Sequence, residues 1–192
     1  MFFTDVRVPL ANLVGEENRG WTYAKYLLTY ERTNIAGVGL AVAAFERLRA
    51  VAAAVTRHGR PLAADPLFAA RLARVEIDLE NMKTTNLRVL AAVAGGGAPG
   101  VENSMLKIRG TEIRQEIASL MRRAMGPHAL PFPDDALEAH TGDDAAGADA
   151  REEGLADAAG AAAQYFNNRK LSIFGGSNEI QKNIIAKTML GL

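Results

Sequence analysis

Apolar residues recur at three- and four-residue steps along most of this chain, the spacing that lines one face of an α-helix. From about 17 to 56 the repeating positions are Ala24, Leu28, Ile35, Val38, Val42, Phe45, Ala52 and Val55, which predicts one long helix. Gly59, Pro61 and Pro66 then interrupt it. A second helix is predicted over about 66–94, with Phe68, Leu72, Val75, Leu79, Met82, Val89 and Val93 on one face, stopped by Gly95-Gly96-Gly97-Ala98-Pro99-Gly100. A third, over about 101–125, carries Leu106, Ile113, Ile117, Leu120 and Ala124 and ends at Gly126-Pro127. A short helix over about 157–170 follows; Gly175-Gly176-Ser177 breaks the chain, and a last helix covers about 178–189. Long amphipathic helices joined by short breaks predict an all-α, up-and-down helical bundle. A bundle alone says nothing about chemistry.

Two stretches depart from this period. Residues 2–15 read as a short β segment and a turn, with Phe3, Val6 and Val8 as strand residues and Pro9 ending the pairing. Such a strand needs partners that the rest of the chain does not offer. Over 131–155, Asp134, Asp135, Glu138, Asp143, Asp144, Asp149, Glu152 and Glu153 face a single base, Arg151. With little but alanine to bury, this acidic stretch is expected to be a mobile, solvated loop.

Composition narrows the function. The 192 residues carry a formal net charge of zero, whereas a duplex-binding protein brings a basic excess to the phosphates, so a nucleic-acid partner is not expected. There is no cysteine, which removes disulfides, thiolate metal sites and a cysteine nucleophile. His58, His128 and His140 are not at helical ligand spacing, so no metal site is expected. The start, MFFTDVRVPL, lacks the basic then apolar order of a signal peptide. No apolar run reaches the roughly 18 residues needed to span a bilayer. A cytoplasmic protein is the expectation.

The sharpest local signal is Glu31. It falls on the stripe 24, 28, 31, 35, 38, 42, 45, whose other members are apolar. A carboxylate on an inward face is costly to ionise, and its raised pKa suits a general base near neutral pH. The competing reading is a buried ion pair with Arg71, Arg74 or Arg109, since Arg32 points about 100° away around the helix. The second signal is IFGGSNEIQ at 173–181, two glycines before a hydroxyl residue at a helix start. Its free backbone N–H groups suit an anion or a carbonyl oxygen; Ser177 or Asn178 equally reads as a plain N-cap. Gly95–Gly97 follows a helix and makes a poor phosphate loop. Asn167-Asn168-Arg169 and His58 read as surface, Trp21 and Tyr23 as packing residues, and Arg122-Arg123 as a helix end complementing the dipole.

Three segments carry a family resemblance. FFTDVRVPLANLVGEENRGW at 2–21 resembles the end of the middle β-domain of acyl-CoA dehydrogenases, YERTNIAGVGL at 30–40 resembles the first helix of their C-terminal bundle, and LSIFGGSNEIQKNIIAKTMLGL at 171–192 resembles their closing segment. The resemblance implies that 1–16 is a remnant of the β-domain and 17–192 the C-terminal bundle, and it points to the large-subunit, pimeloyl-CoA dehydrogenase-like branch. It further implies FAD as cofactor, an acyl-CoA substrate oxidised to the trans-2-enoyl-CoA, an electron-transfer flavoprotein as acceptor, and a homo- or hetero-oligomer. Many members place the catalytic glutamate just before the Gly-Thr or Gly-Ser of the closing motif, where this chain has Gly175. A second branch puts it on the first bundle helix directly before an arginine, which here is Glu31-Arg32. On that basis Glu31 is the expected base and Arg32 its support, with Gly176, Ser177 and Glu179 as cofactor-binding residues.

The departures are also informative. Val55 stands where the family's diphosphate-binding arginine belongs, His58 where a phenylalanine follows it, and Pro66 and Arg123 at two glutamine places. A mixed assembly in which a related second subunit supplies these contacts is one expectation. Another follows from the family's N-terminal helical and middle β-domains: the chain by itself is expected to be inactive. Gly37 and Gly39, beyond Glu31, read as room for a bulky acyl group or as close-packing devices. The rivals are a non-catalytic helical assembly subunit and a nucleic-acid-binding relative, whose basic surface the neutral composition does not provide.

Overall fold

The computed structural model describes residues 2–98, 100–130 and 153–192, with the side chains of residues 29–35 and 153–159 outside that description. Most of the 131–155 stretch, expected to be a mobile loop, therefore lies outside the described residues. Its last three residues are helical.

Six α-helices form the described bundle: α1 (Gly20–Ile35), α2 (Val38–Ala54), α3 (Pro66–Ala94), α4 (Glu102–Met125), α5 (Glu153–Asn167) and α6 (Asn178–Leu190). Short 3-10 turns at Leu10–Asn12, Leu62–Ala64, Gly126–Ala129 and Asn168–Ser172 join them. The ends follow local chemistry. Asp65 accepts a hydrogen bond from the Phe68 backbone N–H at 2.8 Å, with Pro66 at the first helical position, so α3 starts there. The α4 helix stops at Gly126, whose φ of +57° favours glycine. The predicted faces supply Phe45 and Ala52 of α2, Phe68, Val75, Leu79 and Met82 of α3, and Leu106, Ile113, Ile117 and Leu120 of α4, all buried together; Leu48 and Val51 of α2 join them from outside the predicted stripe. The central element is α4, which packs against α1, α2, α3, α5 and α6.

Several expectations need correction. The predicted single helix over 17–56 is two helices, broken at Ala36-Gly37. Gly37 adopts φ +61°, a left-handed conformation that ends one helix and redirects the next. Across this joint α4 presents Gly110, where an added Cβ would stand 2.3 Å from the Ala36 carbonyl oxygen. The joint thus seats backbone on backbone. Second, residues 2–15 make no strand; they run exposed with one 3-10 turn, and no strand among the described residues pairs with them. Trp21, expected to pack, is 72% exposed, while Tyr23 lies over Gly15 and its hydroxyl accepts from the Glu16 N–H at 2.9 Å. Third, α5 begins at Glu153 and ends at Asn167, earlier at both ends than the predicted 157–170.

The two-stranded ribbon among the described residues pairs Thr56–Arg57 (β1) with Arg60–Pro61 (β2). His58 and Gly59 turn it with φ of +52° and +74°, the doubly positive pair a tight hairpin prefers. This ribbon aims Arg57 at the end of α4, where its Nη2 donates to the Arg123 carbonyl at 2.5 Å and to that of Ala124 at 3.5 Å. A cation on the terminal carbonyls complements the helix dipole. Arg57→Ala is expected to cost about 1–2 kcal/mol by urea unfolding; an unchanged midpoint would show that the contact contributes nothing.

Candidate functional site

The closing turn is built from backbone first. After the 3-10 turn at Asn168–Ser172, Gly175 and Gly176 both adopt left-handed φ values, +67° and +80°. Gly176 is doubly constrained, since a Cβ there would stand 2.6 Å from the Gln181 amide nitrogen. Ser177 is the N-cap of α6: its hydroxyl oxygen accepts from the Ile180 N–H at 3.4 Å. Glu179, in the first turn, has its carboxyl held below the usual value by its own backbone N–H, and next by the Ser177 hydroxyl. The plain capping reading of Ser177 is therefore realised. Around the bare glycine pair, Ile173, Phe174 and Ile180 are exposed, so the turn offers an apolar surface beside a helix N-terminus.

A polar stripe on α4 holds this turn. Lys107, Thr111 and Gln115 follow one another at four-residue steps, close enough to one face to meet the closing segment, with buried Asn103 one step before them. Lys107 is 3% exposed, and its Nζ donates to Asn178 Oδ1 at 2.9 Å. Burial lowers its pKa, with the Glu179 carboxylate acting in the opposite sense. The Thr111 hydroxyl donates to the Lys107 carbonyl at 2.7 Å, and the Leu171 carbonyl lies 3.4 Å from it. Gln115 Nε2 donates to the Asn168 carbonyl at 3.0 Å and to Ser172 Oγ at 3.3 Å. From α6 itself, buried Gln181 donates to the Gly175 carbonyl at 3.1 Å. Asn103, 1% exposed, keeps both amide atoms without a partner among the described residues, as does Gln181 its Oε1. None of the α4 side chains in this stripe was singled out from sequence. The available signal was a polar register running beside the apolar one within a single helix.

Glu31 and Arg32 lie in the last turns of α1, before the Ala36-Gly37 joint, and their side chains fall outside the described residues. The continuous stripe that made position 31 inward crosses that joint, so α2 positions do not fix the phase of α1. Within α1, Ala24 is half-buried and Leu28 is 40% exposed. Two of the proposed ion-pair partners are engaged elsewhere: Arg71 with Glu116 at 2.5 Å, and Arg109 with Asp78 at 2.6 Å and Glu112 at 2.7 Å. Arg74 lines the same α3–α4 groove as Arg71, Asp78 and Glu116. Among the described side chains, Arg114 is a cation at the joint, half-buried, its Nη1 3.0 Å from where a Gly37 Cβ would stand; burial lowers its pKa. One stretch of α4 therefore serves both candidate regions. Lys107 holds the closing turn, while Gly110 and Arg114 seat the end of α1, within about 10 Å along one helix axis.

Among the described residues no three acidic or histidine side chains gather as metal ligands, and no helix is long and apolar enough to cross a membrane.

Comparison with known proteins supplies the context. Residues 18–190 match the family model described as "Acyl-CoA dehydrogenase, C-terminal domain". Acyl-CoA dehydrogenase FadE26 of Mycobacterium tuberculosis is 28% identical over 195 residues, covering 100% of this chain and 44% of that protein. Acyl-CoA dehydrogenase IpdE1 of the same organism is 28% identical over 193 residues, covering 100% of the chain and 43% of its own length. The chain thus spans under half the length of these curated relatives. Among solved structures, butyryl-CoA dehydrogenase from Megasphaera elsdenii superposes with a TM-score of 0.73 at 19% identity, covering 98% of this chain and 43% of that one. The Tcur3481-Tcur3483 steroid ACAD gives a TM-score of 0.75 at 23% identity, covering 100% and 45%. PigA with FAD and proline gives 0.73 at 20% identity, covering 99% and 43%. These likenesses establish the shared bundle fold.

Proposed function

The chain belongs to the acyl-CoA dehydrogenase family, as its C-terminal domain, and from that premise we propose that it is the bundle portion of an FAD-dependent enzyme that oxidises an acyl-CoA to the trans-2-enoyl-CoA. Glu31 is the base in this reading. The observation that carries it is the pairing of Glu31-Arg32 at the end of α1 with Gly175 in the closing turn, where a side chain able to take a proton is missing. The α-hydrogen of a thioester is weakly acidic, so a carboxylate kept from water is the suitable acceptor. Glu31 takes the proton from the substrate α-carbon; Arg32 supports its charge.

The closing turn fits a flat, partly apolar cofactor. Two glycines leave the backbone bare, Ile173 and Phe174 stand exposed beside them, and the start of α6 adds a positive dipole end. Gly176, Ser177 and Glu179 are the residues assigned to hold FAD there, which when bound supplies the acceptor for the β-hydride. With Ser177 and Glu179 already engaged in capping, their contribution is through a rigid turn and its N–H groups.

Exposed Trp21, Tyr26, Leu27 and Leu28 on α1, together with Phe3, Val6 and Val8, support packing against further protein, either the domains that precede the bundle in the family or another subunit. The absent diphosphate arginine at Val55, with neighbouring Arg57 committed to α4, favours a second, related subunit providing that contact. An electron-transfer flavoprotein is the electron acceptor in this reading, and the compartment is cytoplasmic. The alternative reading is a non-catalytic assembly subunit, or an inactive piece of the family, in which Glu31 pairs with a cation. Arg114 at the joint is the residue that favours it. Stopped-flow reduction of the full-length flavoprotein by acyl-CoA decides between them, through the Glu31→Gln variant.

A further inference from the structure

We infer that Lys107 is a positioning residue for the flavin-facing edge of the closing turn, acting through Asn178. The inference rests on the reading that this turn meets FAD, and it adds what fixes the turn in place.

The geometry is unusual for a lysine. Its side chain crosses the α4–α6 interface almost wholly out of water and ends on Asn178, the first residue of α6 and the neighbour of Ser177. An ammonium group buried this deeply is costly unless its hydrogen bonds and charge are met. Asn178 meets one donor, and Glu179 in the same turn supplies the opposite charge. A methionine, one atom shorter, would fill most of the space without the desolvation cost, so packing alone does not account for a lysine. What the lysine adds is direction. It fixes the Asn178 side chain, and with it the rotation of the first turn of α6, relative to α4. Gln181 fixes the other side by donating to the Gly175 carbonyl. Between these two anchors lie Gly176, in the left-handed region, and Ser177, whose hydroxyl caps the Ile180 N–H at 3.4 Å and whose carbonyl accepts from the Gln181 N–H at 2.9 Å. Without Lys107 the first residue of α6 loses this hydrogen bond to α4.

The test uses the full-length flavoprotein and FAD itself as probe. Lys107→Met is expected to weaken FAD affinity at least tenfold, by fluorescence titration of the apoprotein, and to alter the visible absorbance of bound flavin. Far-ultraviolet circular dichroism should stay unchanged. Lys107→Arg keeps a donor but not the shape of the ammonium, so it should recover FAD affinity only in part, above Lys107→Met and below the parent. Asn178→Ala should match Lys107→Met, and the double variant should be no worse than either single one, the signature of one shared contact. Two results would overturn the inference: unchanged FAD affinity and spectrum in Lys107→Met alongside a lowered melting temperature, which marks a purely structural role, or additive losses in the double variant. A separate control tests the underlying reading. If replacing both Ser177 and Phe174 with alanine leaves FAD affinity and spectrum untouched, the turn does not meet flavin and the inference falls with that reading.

Discussion

Glu31→Gln in the full-length protein is expected to slow flavin reduction by acyl-CoA by about 10²–10⁴-fold, the usual contribution of a positioned general base. Glutamine keeps the shape and the hydrogen-bonding reach of the side chain and removes the proton acceptor, so substrate binding and melting temperature should change little. The expectation is sharpened by Gly175. Family members with a glutamate in the closing motif have a carboxylate at that place, whereas this chain has a glycine with φ +67°. A glutamate built there would carry backbone strain of about 1–2 kcal/mol, so Gly175→Glu is not a simple way to restore activity to the variant. Reduction by the Glu31→Gln protein at the unmutated rate, under single-turnover conditions, would remove Glu31 from the chemistry and leave the assembly-subunit reading in its place.

The largest stability effect is expected at Gly110. An added Cβ would meet the Ala36 carbonyl oxygen at 2.3 Å and the Ala36 Cα at 2.9 Å. Both are backbone atoms and neither can rotate away, so α4 and the α1–α2 joint must separate. Overpacking of this kind costs about 1–3 kcal/mol and sometimes more. Alanine returns at most about 1 kcal/mol through its better helix propensity. Because all the atoms met are backbone, the cost falls at the upper end, about 3 kcal/mol, and Gly110→Ala should lose a net ~2 kcal/mol in urea unfolding, several degrees of melting temperature for a chain of this size. Gly39→Ala is the matched control: no atom lies within 4 Å of the added Cβ, and the change should be neutral or slightly stabilising. A Gly110→Ala protein as stable as the parent would mean that the joint is not seated as described.

The bundle was largely legible in the sequence, and the reasons are local. The limits of α3 follow from Asp65-Pro66 at one end and the glycine run after Ala94 at the other, both of which act without help from distant residues. The break at Gly37 was not legible. One glycine inside an apolar period is compatible with an unbroken helix, and what turns it into a joint is Gly110, 73 positions later in the chain. That tertiary partner also cut the stripe through Glu31: positions 24, 28 and 35 share α1 with it, whereas 38, 42 and 45 lie beyond the joint. The N-terminal stretch had strand-forming side chains and no partner, and β propensity without pairing yields no ladder. At the closing turn, the sequence exposed the glycines and the cap. It hid Lys107, because a lone lysine in a helix of mixed polarity reads as solvent-facing until another helix covers it.

The seam formed by Lys107, Thr111 and Gln115 has a consequence for how the molecule opens. Apolar interlocking holds α2, α3 and α4 together, whereas the 168–181 stretch is fastened in good part by hydrogen bonds that water can replace. Such an edge can detach without the rest unfolding. Amide deuterium uptake should therefore run ahead in 173–190 while the interior of α4 stays protected, and the difference should narrow when FAD is present.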